Sequence, residues 1–341
     1  MKIKLSFCIP TYNFARFIGQ TLHSIVSQAN NEIEIVIVDG ASTDNTLEIV
    51  QDYQKRFPNI RYLLREKNMG LDKDLNKSVD LAEGQYCWLL SADDVLKPGA
   101  IDRIFREISL GHDIYLFNRT ECDLNLRPVR DRRWLSSDMR DHVFTLSDKG
   151  DLLYYFSRAR SIGALLSYCS SIVFSRQYWN CSSYNENLTG IGYAHVYRLF
   201  SALTGYQTLK YIREALVFCR GDNDSFLTQG AIRRFLLDID GYRLLADTIF
   251  PNDKTSKTAF LQVMKRQVRL PYLIKLRSLV YDITQWDDIE HKLLRYGYDP
   301  RTLRTARILG SLKPLVASAL FLKQQLVKNQ SILYKLKRSH P

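Results

Sequence analysis

"YCWLLSADDVLKPG" (residues 86–99) opens as an apolar run, Tyr86 to Leu90, and breaks at Ser91-Ala92-Asp93-Asp94. An apolar run of this length bounded by a polar turn and "KPG" reads as a strand buried on both faces. Its upstream neighbours alternate with it. "KLSFCIPTY" and "EIEIVIVDG" read as strands, and so does "IRYLLRE". Between them, "FARFIGQTLHSIVSQ", "STDNTLEIVQDYQKRF" and "GLDKDLNKSVDLAEG" carry apolar residues at helical spacing. Ser42 or Thr43 is the expected cap of the second helix, and Gly84 the stop of the third. The β-α-β-α-β-α-β order implies an α/β fold, a mostly parallel sheet flanked by helices on both faces.

Past residue 100 the rhythm weakens. "DIYLFNRTECD", "LSYCSSIVFSRQYW" and "TLKYIREALVFCRGDND" read as strands and "HVYRLFSALTG" as a helix, and everything beyond residue 230 reads as helical. The chain has 341 residues, 45% of them apolar, and a net charge of +12. That charge is segregated. Residues 251–341 hold 18 Lys and Arg against 6 Asp and Glu, whereas residues 1–250 hold 30 of each. A basic C-terminal helical region suggests an anionic surface as partner. "KTAFLQVMKRQVRLPYLIKLRSLVYDI" and "KPLVASALFLKQQLVKNQSILYKLKRS" set apolar residues at helical spacing among the cations, with Leu315, Ala319, Leu322, Leu326, Leu333 and Leu336 on one face of the second. Such helices suit an anionic bilayer interface, and the plainer reading is packing on the body of the protein. No nucleic-acid module is recognisable, so nucleic acid is not the expected partner. Neither a secretory leader nor a membrane-spanning run is expected. The six scattered cysteines, with no CxxC pair, read as reduced thiols of a cytoplasmic protein.

Ligands of an open parallel sheet bind at the carboxyl ends of its strands. Three of those ends are polar: "PTYN" (10–13), "DGASTDNT" (39–46) and "SADD" (91–94). Asp39 can accept hydrogen bonds from a ribose or a base edge, or merely cap the next helix. No GxxxxGK[ST] loop is present, so a divalent cation on Asp93 and Asp94 could take over the handling of a diphosphate. Adjacent carboxylates in a solvated turn are the ordinary alternative.

These blocks, together with "AEGQYCWLLSADDVLKPGA", resemble the signature blocks of the family 2 glycosyltransferases with the GT-A fold. The resemblance is dense over residues 3–105 and looser to 225. "NMGLDKDLNKSV", "YCWLLSADD" and "CRGDNDSF" look most like the abequosyl-type (dideoxyhexosyl) transferases of O-antigen assembly. The resemblance implies a catalytic domain over 1–225, with nucleotide-sugar binding in 1–105 and the acceptor side in 106–225, and a basic helical region over 226–341. It implies donor contacts from Pro10, Tyr12, Asn13 and Asp39, with Ala92 and Asp93 against the ribose and diphosphate. Asp93, supported by Asp94, would hold Mg²⁺ or Mn²⁺. The family pattern there is Asp-x-Asp, and Ser91 stands at its first position.

Asp72 and Asp74 fall in the first turn of a helix, where dipole stabilisation and donor contact are both open. On the acceptor side the family places an acidic pair after a Gly-rich turn. In "TGIGYAHVYRL", Ala194 and His195 occupy that place. His195 is then a candidate base or metal ligand, against the reading of an ordinary packed histidine, with Glu186 in reserve. Arg220 could hold phosphate or an acceptor hydroxyl, or pair with Asp222 and Asp224. The implied acceptor is a polyprenyl-diphosphate-linked oligosaccharide at the inner face of the cytoplasmic membrane. A sugar nucleotidyltransferase should carry a Gly-rich basic loop that "PTYNFARF" lacks, and a non-catalytic carbohydrate-binding relative is the other alternative.

Overall fold

Every residue of Leu5–Thr11 and of Ile33–Asp39 is buried, which is why both are largely apolar and why both form central strands. The computed structural model describes residues 2–201, 206–223, 230–280 and 282–312. In chain order the elements are β1 (Leu5–Thr11), α1 (Ala15–Val26), β2 (Ile33–Asp39), α2 (Thr46–Arg56), β3 (Ile60–Leu64), α3 (Leu71–Asp80), β4 (Tyr86–Leu89), β5 (Val95–Leu96), α4 (Ala100–Ile108) and β6 (Ile114–Cys122). There follow β7 (Pro128–Arg132), β8 (His142–Thr145), α5 (Lys149–Arg158), β9 (Ile172–Ser175), α6 (Arg176–Trp179), α7 (Ala194–Ser201) and β10 (Thr208–Cys219). The helices α8 (Ala231–Ile249), α9 (Lys254–Gln267), α10 (Leu270–Leu279), α11 (Ile283–Arg295) and α12 (Pro300–Ser311) complete the described chain.

The sheet runs β3-β2-β1-β4-β9-β6-β10-β5, with β7 on β6 and β8 on β10. Strands β1 to β4 are parallel, as the alternating rhythm requires. β9 is antiparallel to both β4 and β6, and β6 is parallel to β10. The carboxyl ends of β1, β2, β4, β6 and β10 therefore share one edge, and the segment entering β9 arrives at that same edge.

Three local expectations are corrected. The N-cap of α2 is Asn45, whose side chain makes no capping bond; the Thr46 amide (3.1 Å) and hydroxyl (2.6 Å) donate instead to Oδ1 of Asp44, one residue upstream. The side chains of Ser42 and Thr43 are engaged elsewhere: Ser42 Oγ accepts from the Asn13 amide (2.8 Å), and the Thr43 hydroxyl donates to Asn13 Oδ1 (3.4 Å). Gly84 is not a helix stop. It is glycine because a Cβ there would lie 2.5 Å from Ser6 Oγ and 2.8 Å from the Ser6 nitrogen. "LSYCSSIVFSRQYW" is a strand only over Ile172–Ser175, preceded by a 3₁₀ turn at Cys169–Ser171 and followed by α6, whose N-cap is Ser175.

The first basic amphipathic stretch breaks between α9 and α10, where Pro271 begins a new helix. Phe260, Val263, Met264, Leu273 and Leu276 are buried in one core with Phe156, Leu209 and Tyr211. Burying each such side chain is worth roughly 1.5–3 kcal/mol, more than the ~1 kcal/mol of a cation at an anionic lipid surface, so this stripe serves first as packing. The second stripe, Leu315 to Leu336, lies outside the described residues. Among the described residues no helix is long and apolar enough to cross a membrane, and all six cysteines are free thiols.

Candidate active site

The three polar strand ends meet. Thr11 is in register with Asp39 across β1 and β2, and the Leu90 amide donates to the Cys8 carbonyl. Asn13 and the turn after β2 interlock. The Asn13 amide donates to Ser42 Oγ (2.8 Å), and Asn13 Oδ1 accepts from the Thr43 amide (2.8 Å). Asn13 and Ala41 both adopt left-handed backbone (φ 57° and 67°), as expected where two loops are folded onto each other. Pro10 is buried in β1, whereas Tyr12 is 45% exposed at the mouth. Asp39 is buried, its Oδ1 accepting from the Ser42 amide (2.7 Å) and its Oδ2 from the Tyr62 hydroxyl (2.6 Å). Burial and then the Asp39 carboxylate raise the Tyr62 pKa, so this phenol stays a donor.

At the end of β4, Ser91 stands where the family pattern has its first acid, and its hydroxyl donates to Asp93 Oδ1. Asn223 Nδ2 donates to Asp93 Oδ2. Ala92 is buried, its carbonyl accepting from Thr21 Oγ1 (2.9 Å). Asp94 is the more enclosed carboxylate. Its Oδ2 accepts from the Tyr168 hydroxyl and from Ser170 Oγ, and its Oδ1 from the Arg220 amide (3.0 Å). Burial, reinforced by the charge of Asp93, lifts the Asp94 pKa to about 7. Enclosed by these donors, Asp94 buttresses the turn that carries Asp93.

Arg220 is buried, and each of its three guanidinium nitrogens donates within the protein. Its Nε donates to the Asp93 carbonyl (2.9 Å), and its two terminal nitrogens donate to the Leu124 carbonyl (2.7 Å) and Gln20 Oε1 (2.6 Å). Its guanidinium lies 4.6 Å from the Phe17 ring centroid. It staples α1, the β4 turn and the β6–β7 turn together. Gly221 follows because a Cβ there would sit 2.4 Å from the Cys122 carbonyl oxygen. Asp222 is exposed in left-handed backbone and is not a partner of Arg220, and Asp224 lies outside the described residues.

The acceptor-side candidates are placed differently from expectation. His195 is buried, and its Nε2 lies 3.0 Å from the Leu166 carbonyl oxygen. A carbonyl only accepts, so a neutral ring carries its proton on Nε2. Burial lowers the pKa to about 4. A base at neutral pH works best with a pKa near 7, so the burial and the Leu166 bond favour packing and loop anchoring over the expected base role. Glu186 is exposed and paired with Lys73 (3.0 Å), whose hydrogen bond holds its pKa below the usual range. Asp72 is bonded to the loop that leads into α7. Its Oδ2 accepts from the amides of Gly190 (2.8 Å) and Gly192 (2.9 Å), and its Oδ1 from that of Ala194 (3.0 Å). Asp74 pairs with Arg65 Nε (3.0 Å).

Sequence reading missed Tyr62, Tyr168, Ser170 and Asn223. Only Asn223 lay in a stretch singled out for its chemistry; the other three lay in stretches read only as strands. The others are ordinary polar residues whose partners lie far away in the chain.

Among the described residues no group of three or more His, Cys, Asp or Glu converges as a metal cage. One carboxylate flanked by a hydroxyl and an amide is nevertheless a donor set that suits Mg²⁺ or Mn²⁺ completed by substrate phosphates and water.

A mostly parallel sheet with its polar turns gathered at one carboxyl edge is the architecture of a GT-A glycosyltransferase. The Staphylococcus aureus protein TarS (residues 1–349), solved with UDP-GlcNAc, superposes with a TM-score of 0.61 at 18% identity, over 99% of this chain and 92% of that one. The Pyrobaculum calidifontis mannosyltransferase PcManGT, solved with GDP-Man and Mn²⁺, gives 0.51 at 15% identity, over 93% and 87%. The family model for glycosyl transferase family 2 matches residues 6–173. Abequosyltransferase RfbV of Salmonella typhimurium is 33% identical over 326 residues, 94% of this chain and 97% of that protein. The chain belongs to glycosyl transferase family 2, and it is a glycosyltransferase.

Proposed function

We propose that the enzyme moves a 3,6-dideoxyhexose such as abequose from a CDP-sugar to a polyprenyl-diphosphate-linked oligosaccharide in O-antigen assembly. The observation that carries this reading is the near full-length similarity to an abequosyltransferase, which extends through the acceptor side and the helical region beyond the shared donor half. In this reading residues 1–225 are the catalytic domain and residues 226–341 a basic helical region. Tyr12, at the open mouth, stacks on the base, while Pro10, Asn13 and Asp39 shape the nucleoside slot. Ala92 and Asp93 lie along the ribose and diphosphate. Asp93 would hold Mg²⁺ or Mn²⁺ with the donor phosphates, and the bound cation would neutralise the departing diphosphate. Asp94 and Arg220 fix the turn that presents Asp93. The basic helical region would bring the enzyme to the anionic inner face of the cytoplasmic membrane, where such an acceptor resides.

The test is a donor panel of CDP-, UDP-, GDP- and dTDP-sugars with Mg²⁺ and Mn²⁺ and a polyprenyl-diphosphate-linked acceptor. Transfer from a CDP-3,6-dideoxyhexose is the expected result. Transfer confined to a UDP- or GDP-hexose would overturn the donor assignment.

A further inference from the structure

We propose that Asp72 is a positioning residue that, through helix α3, holds the acceptor-side loop in register with the donor-side turns. Its carboxylate is buried and accepts three backbone N–H groups, from Gly190, Gly192 and Ala194, at 2.8–3.0 Å. The loop is shaped to deliver them. Gly190 and Gly192 have φ of 92° and 76°, a conformation that turns alternate amides to one side and that residues with a Cβ resist. Bonds to an ionised acceptor are about twice as strong as neutral ones, so one carboxylate fixes the whole entry to α7.

The rest of α3 makes this a link between the two halves. Residues two apart on a helix point about 200° apart, so Asp74 faces away from Asp72. Asp74 holds Arg65, whose amide donates to the Asp39 carbonyl (2.8 Å), and a Cβ on Gly40 would lie 2.9 Å from Asp74 Oδ2. Lys73 pairs with Glu186 (3.0 Å), and Asn76 Oδ1 accepts from Arg198 (2.6 Å). One turn of α3 therefore touches the donor-side turn on one face and the Glu186–Arg198 segment on the other. The inference rests on glycosyl transfer and not on which sugar is moved.

Two variants test it, using the donor and acceptor that the parent enzyme accepts. Asp72→Asn keeps the volume but turns an N–H toward amides that need an acceptor. Gly190→Ala leaves the carboxylate untouched and has free space for its methyl, so it perturbs only the backbone of the turn. Both should lower kcat/KM for the acceptor about 10²-fold, as small misplacements of a reacting partner do. Both should leave nucleoside-diphosphate affinity, measured by calorimetry, within about twofold. Hydrogen exchange at residues 190–194 should accelerate in Asp72→Asn. In the parent, adding the nucleoside diphosphate should slow it. Donor affinity falling in step with acceptor kcat/KM would place Asp72 on the donor side and overturn the proposal, and so would unchanged kinetics in both variants. Should Asp72→Asn not fold, Gly190→Ala carries the test. Failure of both to fold would make the contact structural and overturn the positioning role.

Discussion

Replacing His195 with Gln distinguishes a packed imidazole from a catalytic one. Gln retains an N–H donor for the Leu166 carbonyl but does not titrate. In the parent, burial takes the His195 pKa from the ordinary 6.5 to about 4. The unfolded chain then binds a proton between those two values while the folded chain does not. Stability from this group is complete above pH 6.5 and is lost as pH falls towards 4. A shift of that size corresponds to about 3 kcal/mol. Asp94 acts in the opposite sense, because its raised pKa of about 7 makes the folded state the better proton binder below neutrality. The parent's own pH profile mixes the two, but the difference between parent and His195→Gln isolates the imidazole. Urea unfolding at pH 7.5, 6, 5 and 4.5 should give curves that differ by about 1 kcal/mol or less at pH 7.5 and diverge in favour of the variant on acidification. Transfer by His195→Gln should stay within about tenfold of the parent, whereas loss of a general base costs roughly 10²–10⁴-fold. A stability difference that ignores pH, joined to a collapse in turnover, would refute the reasoning and return His195 to the chemistry.

Asp93→Ala should abolish transfer in metal-replete buffer, while Ser91→Ala, which removes one hydrogen bond to Asp93, should cost about tenfold or less; equal activity of Asp93→Ala and parent would sink the metal assignment. Asp39→Asn should weaken nucleoside-diphosphate binding about 10- to 100-fold in calorimetry, with unfolding little changed, since a hydrogen bond to a charged group is worth about 1.5–3 kcal/mol. Arg220→Lys should lower stability by about 2–4 kcal/mol, because one ammonium cannot meet three acceptors held in a planar fork. Flotation with anionic and neutral vesicles should show binding to the anionic ones alone, at about 1 kcal/mol per engaged cation and weakening with salt; equal flotation on both, or none, would remove electrostatic docking.

The donor half was legible because β1, β2 and β4 are buried runs that stop at polar turns. Asp39 and Asp93 could be singled out from their place at those ends alone. Periodicity reports which side chains are buried, not which distant group meets them. Nothing local to Asp94 points to Tyr168 and Ser170, more than 70 residues on, or from Asp72 to a glycine turn 118 residues away. The surroundings of His195 were hidden for the same reason. Its place after "GIG" was visible, but its burial beneath Leu166 is a tertiary fact. Arg220 and Asp94 looked like groups waiting for a ligand because their protein partners come from four separate segments.

The order of the strands has a consequence for how the chain comes together. β9 lies between β4 and β6, and β10 forms the far neighbour of β6 almost 90 residues after β6 ends. Loop closure over such distances is slow, and non-local pairings lag behind local ones. During synthesis the four parallel strands of the donor half can pair early, yet the turn bearing Asp93 has no Tyr168 or Ser170 beside it until residue 170 has been made, and no Arg220 until residue 220. Donor competence should therefore arrive late in the life of a nascent chain, at the moment β10 docks and Arg220 closes over Phe17.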